Sequence, residues 1–146
     1  MSYQHIDEKI QSVRISLERL DSTKSEFLRE LSTSLNLTPP PGLILQLNNN
    51  GSISGKFFGA EVYAKPRHIV LNGLFQAIEY NWRVEKDGIS YPLMFMYLTT
   101  DTDSVYKDAD GKNRLFGWRN TYLSKFIFEV LIDEFVKCQL FRPSEK

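Results

Sequence analysis

The sequence predicts an α+β protein with a long N-terminal helix, an antiparallel β-meander of about six or seven strands, and a C-terminal helix packed on one sheet face. Three observations predict it. Apolar residues in the first segment recur at spacings that alternate between three and four, a helical period. Beyond a run of three prolines, turn dipeptides separate segments rich in β-branched and aromatic residues. The helical period then returns over residues 120–140, broken by only a narrow polar stripe.

The first helix rests on Tyr3, Ile6, Ile10, Val13, Leu17, Leu20, Phe27 and Leu31, with Lys24 the interruption in the seam. This is a heptad pattern of the kind that pairs helices. A helix from Tyr3 to Ser34 would be about 48 Å long at 1.5 Å per residue, longer than a compact domain built from the rest of the chain is wide. Two readings follow. The helix runs unbroken and pairs with a second copy through Ile6, Ile10, Val13, Leu17, Leu20, Phe27 and Leu31. Alternatively it breaks at "LDSTKSEF", where Thr23 and Glu26 form a capping-box pattern. Flanking charges at Lys9, Arg14, Asp21 and Glu30 are mixed and permit either direction of pairing.

"NLTPPPG" ends this helix, because proline lacks the amide hydrogen that a helix interior requires. The chain therefore divides into a helix over 1–36, a proline-rich connection over 37–42, an α+β domain over 43–141 and a frayed tail over 142–146.

The strands follow as hairpins. "GLILQL" meets "SISGKFFGAEVYA" across residues 48–52, and "RHIVL" meets "LFQAIEYNWRVE" across Asn72-Gly73, a dipeptide suited to tight hairpin turns. "EYNWRVE" meets "ISYPLMFMYL" across residues 86–88, and "SVYK" meets "NRLFGW" across 108–112. On the central strand Leu74, Ile78, Tyr80, Trp82 and Val84 form a dry face. The strand after it is apolar at both parities, with Met94 and Met96 opposite Phe95 and Tyr97, so both of its faces are expected to be covered. In the last helix Lys125, Glu129, Asp133 and Lys137 mark the wet stripe and nearly everything else is apolar.

Function is less legible. Eighteen basic and eighteen acidic residues cancel, so no global field draws the chain to nucleic acid or anionic lipid. A single cysteine, Cys138, excludes an internal disulfide framework. The charged N-terminus and the lack of any apolar run of about 18 residues suggest a cytoplasmic protein without membrane association. The stretch "DTDSVYKDADGKNRLFGW" resembles a calcium loop only superficially. With Gly111 at the sixth position, Tyr106 and Gly117 fall where the first and last ligands belong, so a hairpin turn is expected. His5 and His68 have no helical metal partner, and phosphate loops and nucleophile elbows are missing. No catalytic residue, metal ligand or cofactor is assigned.

The favoured expectation is a non-enzymatic interaction module, an adaptor, regulator, inhibitor or immunity-type protein that acts as a homodimer on another macromolecule. Interface hot spots favour Trp, Tyr and Arg, and methionines suit adaptable surfaces. Trp82, Trp118, Arg119, Tyr122, Met94 and Met96 are therefore the partner-binding candidates. One alternative is a small-molecule pocket between the sheet and the last helix, with weak acid–base chemistry from Glu79 or Glu61 beside Tyr80. Another is single-stranded nucleic-acid binding by two basic and aromatic clusters, Lys56, Phe57, Phe58, Tyr63, Lys65, Arg67 and His68, and Arg114, Phe116, Trp118, Arg119 and Tyr122.

Overall fold

A computed structural model describes residues 4–100, 103–138 and 140–141. Tyr3, Asp101 and the expected frayed tail over 142–146 lie outside the described residues. Helix α1 runs unbroken over Gln4–Ser34, and helix α2 spans Leu123–Lys137. Between them lie β1 (Leu43–Leu47), β2 (Ile53–Phe57), β3 (Ala60–Ala64), β4 (Pro66–Leu71), β5 (Leu74–Lys86), β6 (Ile89–Thr99), β7 (Ser104–Tyr106) and β8 (Arg114–Gly117). The capping-box break does not occur. Thr23 Oγ1 instead donates to the Arg19 carbonyl one turn back, an exchange that leaves the backbone ladder intact.

All eight strands form one antiparallel sheet in the order β1-β2-β3-β5-β6-β7-β8, with β4 also on β5. Strand β5 is long enough to take two neighbours along one edge. Glu61–Tyr63 of β3 pair with its Arg83–Glu85 end, and β4 pairs with its Leu74–Tyr80 end. The expected hairpins form, with Asn72 and Gly73 at φ 55° and 75° and Asp87 and Gly88 at 55° and 78°. One further turn hides inside "GKFFGAE", where Phe58 and Gly59 take φ 51° and 87° and fold β2 back onto β3. An aromatic residue in left-handed conformation is a strained choice, which is why that turn has no sequence signature.

The core lies on one face of the sheet beneath both helices. Leu20, Phe27 and Leu31 of α1 and Leu123, Ile127, Phe128, Leu131 and Phe135 of α2 are buried against Phe57, Val62, Ile78, Tyr80, Trp82, Val84, Met96 and Leu98. Phe27 is the centre of this packing, with ring centroids 5.9 Å from Tyr80 and 6.2 Å from Trp118. The two helices join at a reciprocal serine pair. The Ser124 amide donates to Ser34 Oγ (3.0 Å), and Ser124 Oγ donates to the Ser34 carbonyl (3.1 Å). Thus an otherwise orphaned donor at the start of α2 is satisfied by the end of α1.

The double-sided apolarity of β6 has a local explanation. Trp82 pairs with Met94 and Arg83 with Pro92, so Leu93 is an extra residue at a β-bulge. The bulge shifts the pleat. Tyr91 pairs with core-facing Val84 before it, while Met94, Met96 and Leu98 pair with core-facing Trp82, Tyr80 and Ile78 after it. One face collects apolar residues from both parities, and no second layer is needed over Met96.

Candidate interaction surface

The apolar stripe of α1 meets two environments. From Leu20 onward it is covered by the sheet and α2, so Leu20, Phe27 and Leu31 belong to the protomer's own core rather than to a dimer seam. Before that point the stripe is open. Ile6 is 50% and Ile10 59% exposed, and Val13 and Leu17 are half-buried. The sheet reaches back along the helix to about Ser16, whose hydroxyl accepts the Phe75 amide (3.1 Å). One turn later His68 Nε2 meets Asp21 Oδ1 at 2.7 Å. Ile10, Val13, Arg14 and Leu17 line a shallow apolar concavity with Lys9, about 440 Å³ in volume.

The expected partner anchors are dispersed. Trp82 and Trp118 are 1% exposed and lie inside the core, because β5 and the end of β8 face the helices. Among the described residues their indole nitrogens have no hydrogen-bond partner, so burial of ring area outweighs a lost donor at both. Met96 is buried and Met94 half-buried on the same face. Arg119 is at the surface but engaged. It donates to Glu26 Oε2 of α1 (2.7 Å) and Asp103 Oδ2 (3.1 Å), with its guanidinium carbon 4.8 Å from the Trp118 ring centroid. Hydrogen bonding to Asp103 and Glu26 raises its already high pKa. Tyr122 remains exposed, and with Leu37, Pro39, Pro40, Lys125 and Phe128 it lines a second concavity of about 410 Å³. That hollow lies between the proline-rich connection and α2, not between sheet and helix as expected.

The outer sheet face carries the polar chemistry. Glu79 is 7% exposed and sits between Arg67 of β4 (2.9 Å) and the Tyr97 hydroxyl of β6, which donates to Glu79 Oε2 at 2.9 Å. Desolvation, then the Glu79 hydrogen bond and charge, push the Tyr97 hydroxyl up to about 12. Both carboxylate oxygens are thus occupied and the phenol is a poor proton donor near neutrality, so the cluster works as a clip across three strands. Glu61 and Glu79 share no site, since Glu61 lies opposite Glu85 and Glu79 opposite Arg67. Tyr80 points to the other face, where burial raises its pKa and its hydroxyl donates to the Gly51 carbonyl (3.2 Å).

Both nucleic-acid clusters are divided between core and surface, with Phe58 and Tyr122 exposed. Phe57, Phe116 and Trp118 are interior, and Arg119 is held by carboxylates. In the turn over 108–112, Asp108 accepts the Lys112 amide (2.7 Å) and both the amide and the side chain of Asn113. These bonds, the Asn113 side chain first, hold its carboxyl down to about 2 although burial opposes them. Among the described residues no three His, Cys, Asp or Glu converge on a possible metal position. No helix among them is long and apolar enough to cross a membrane. A scan against protein-family models, a search of curated proteins and a search of solved structures each find no match to this chain.

Proposed function

We infer that this chain is a protein-interaction module, an adaptor or regulator that acts as a homodimer, with the first half of α1 as its docking element. The observation that carries the reading is the open stripe from Ile6 to Leu17, continuous with one that is buried further along the same helix. An apolar side chain fully withdrawn from water contributes about 1.5–3 kcal/mol, and Ile6 and Ile10, with the half-buried Val13 and Leu17, each gain the part of this that their remaining exposure leaves. The Glu79 cluster of the outer face supports the same reading, because both of its carboxylate oxygens are bonded within the fold. Sedimentation equilibrium tests it. A species of twice the 17.0 kDa protomer is expected at micromolar concentration, and a monomer throughout would remove the reading.

The concavity beside Tyr122 favours a second reading, a site for a small apolar ligand between Pro40 and Phe128. Thermal-shift screening separates the two. Stabilisation by one compound class, lost in Tyr122→Ala, would favour the ligand site over a pure adaptor.

A further inference from the structure

We propose that two copies pair antiparallel through residues 6–17 of α1, with Ile10 opposite Val13 and Ile6 opposite Leu17 of the second copy. This rests on the homodimer reading and adds the direction and register. Three features of the structure carry it.

The first is space. The stripe that would face the second helix is covered by the protomer's own sheet from Leu20 onward. Paired helices lie about 8–10 Å apart. Two copies aligned in parallel would bring both sheets to the same side at the same level, competing for that gap. In the antiparallel register Gln4, where the described helix begins, falls opposite Arg19. The two sheets then sit at opposite ends of the pair.

Charge is the second feature. With Ile10 and Leu17 at heptad positions a and Ile6 and Val13 at d, Asp7 and Arg14 occupy e and Lys9 occupies g. The antiparallel register sets Asp7 against Arg14 of the second copy, and two-fold symmetry repeats the contact. Parallel pairing would instead set Lys9 against Arg14 twice. Arg14 now donates to Gln11 Oε1 (2.5 Å) and lies 3.9 Å from Glu18, exposed contacts within its own helix that it can exchange for Asp7.

Shape is the third. Ile10, Val13, Arg14 and Leu17 stand at i, i+3, i+4 and i+7, the four corners of a coiled-coil hole, and they line the open concavity on α1. The side chain that the register delivers to this hole is Ile10 of the second copy, among the most exposed apolar residues of the protomer.

Disulfide trapping tests the register in the full chain, in a Cys138→Ala background. Ile6→Cys protein is mixed with Leu17→Cys protein and oxidised with diamide. Cross-linked heterodimer joined from 6 to 17 is expected, with no 6-to-6 or 17-to-17 product. A 6-to-6 product would overturn the register while leaving the homodimer intact. A dimer by sedimentation with no cross-link would overturn it too, and a monomer would remove the homodimer reading itself. Charge reversal gives a second measure at solvent-exposed positions that do not threaten folding. Arg14→Asp should weaken dimerisation about tenfold at low salt, and adding Asp7→Arg should restore it. An unchanged dissociation constant in Arg14→Asp would overturn the register.

Discussion

Residues 20–34 and residues 6–17 of α1 share one apolar stripe at one spacing, yet Leu20, Phe27 and Leu31 are enclosed while Ile6 and Ile10 face solvent. The helix does not change character between the halves. What changes is whether the sheet reaches it, and β5 begins beside Ser16. Apolarity in a helix thus specifies that a face will be covered but leaves open what covers it. In this chain, intramolecular packing accounts for the second half, and an intermolecular contact is proposed for the first.

The contrast is sharpened first by cutting a ring from the enclosed half. Phe27→Ala should lower stability by about 3–5 kcal/mol in urea denaturation, because Tyr80 and Trp118 cannot both close on the vacated space. Ser34→Ala should cost about 1–3 kcal/mol by leaving the buried Ser124 amide without an acceptor, and Ser34→Thr should recover part of it. Ile10→Ala, in the open half, should shift protomer stability by no more than about 0.5 kcal/mol at dilutions where the chain is monomeric, while abolishing the dimer by sedimentation. Equal destabilisation by Ile10→Ala and Phe27→Ala would break the comparison. Arg119→Ala should lower thermal stability slightly, with an effect that shrinks as salt is raised, because its clip to Glu26 and Asp103 is at the surface. The smallest effect lies in the β7–β8 turn. Asp108 titrates near 2 when folded, below its ordinary 3.8, so its contribution is full above about pH 4 and is lost as pH falls towards 2. A carboxyl NMR titration checks that midpoint, and Asn113→Ala should move it upward.

The hairpins were legible because Asn-Gly and Asp-Gly tolerate positive φ, and a turn at 72–73 or 87–88 needs nothing from the rest of the fold. The Phe58-Gly59 turn was not legible, since only the pairing of β2 with β3 forces a phenylalanine into that conformation. The Leu93 bulge was hidden for a related reason. A one-residue slip of the pleat is invisible when both parities are apolar, and it made β6 read as a strand needing two covers. Of the six partner-binding candidates, Trp82 and Trp118 are interior, because composition cannot distinguish a tryptophan on a surface from one beneath two helices. Among those six candidates, Arg119 and Tyr122 are the exposed ones.

Periodicity by itself determined that the first segment would be helical, with a meander closed by specific turns and a last helix wet on one stripe. Each of these is a local property, fixed by side-chain spacing and backbone freedom within a few residues. Only the tertiary structure decided where the sheet ends along α1, which face of β6 is inside and which carboxylates meet. These depend on pairing between residues far apart in the chain, so their energies are set by neighbours that no short window contains.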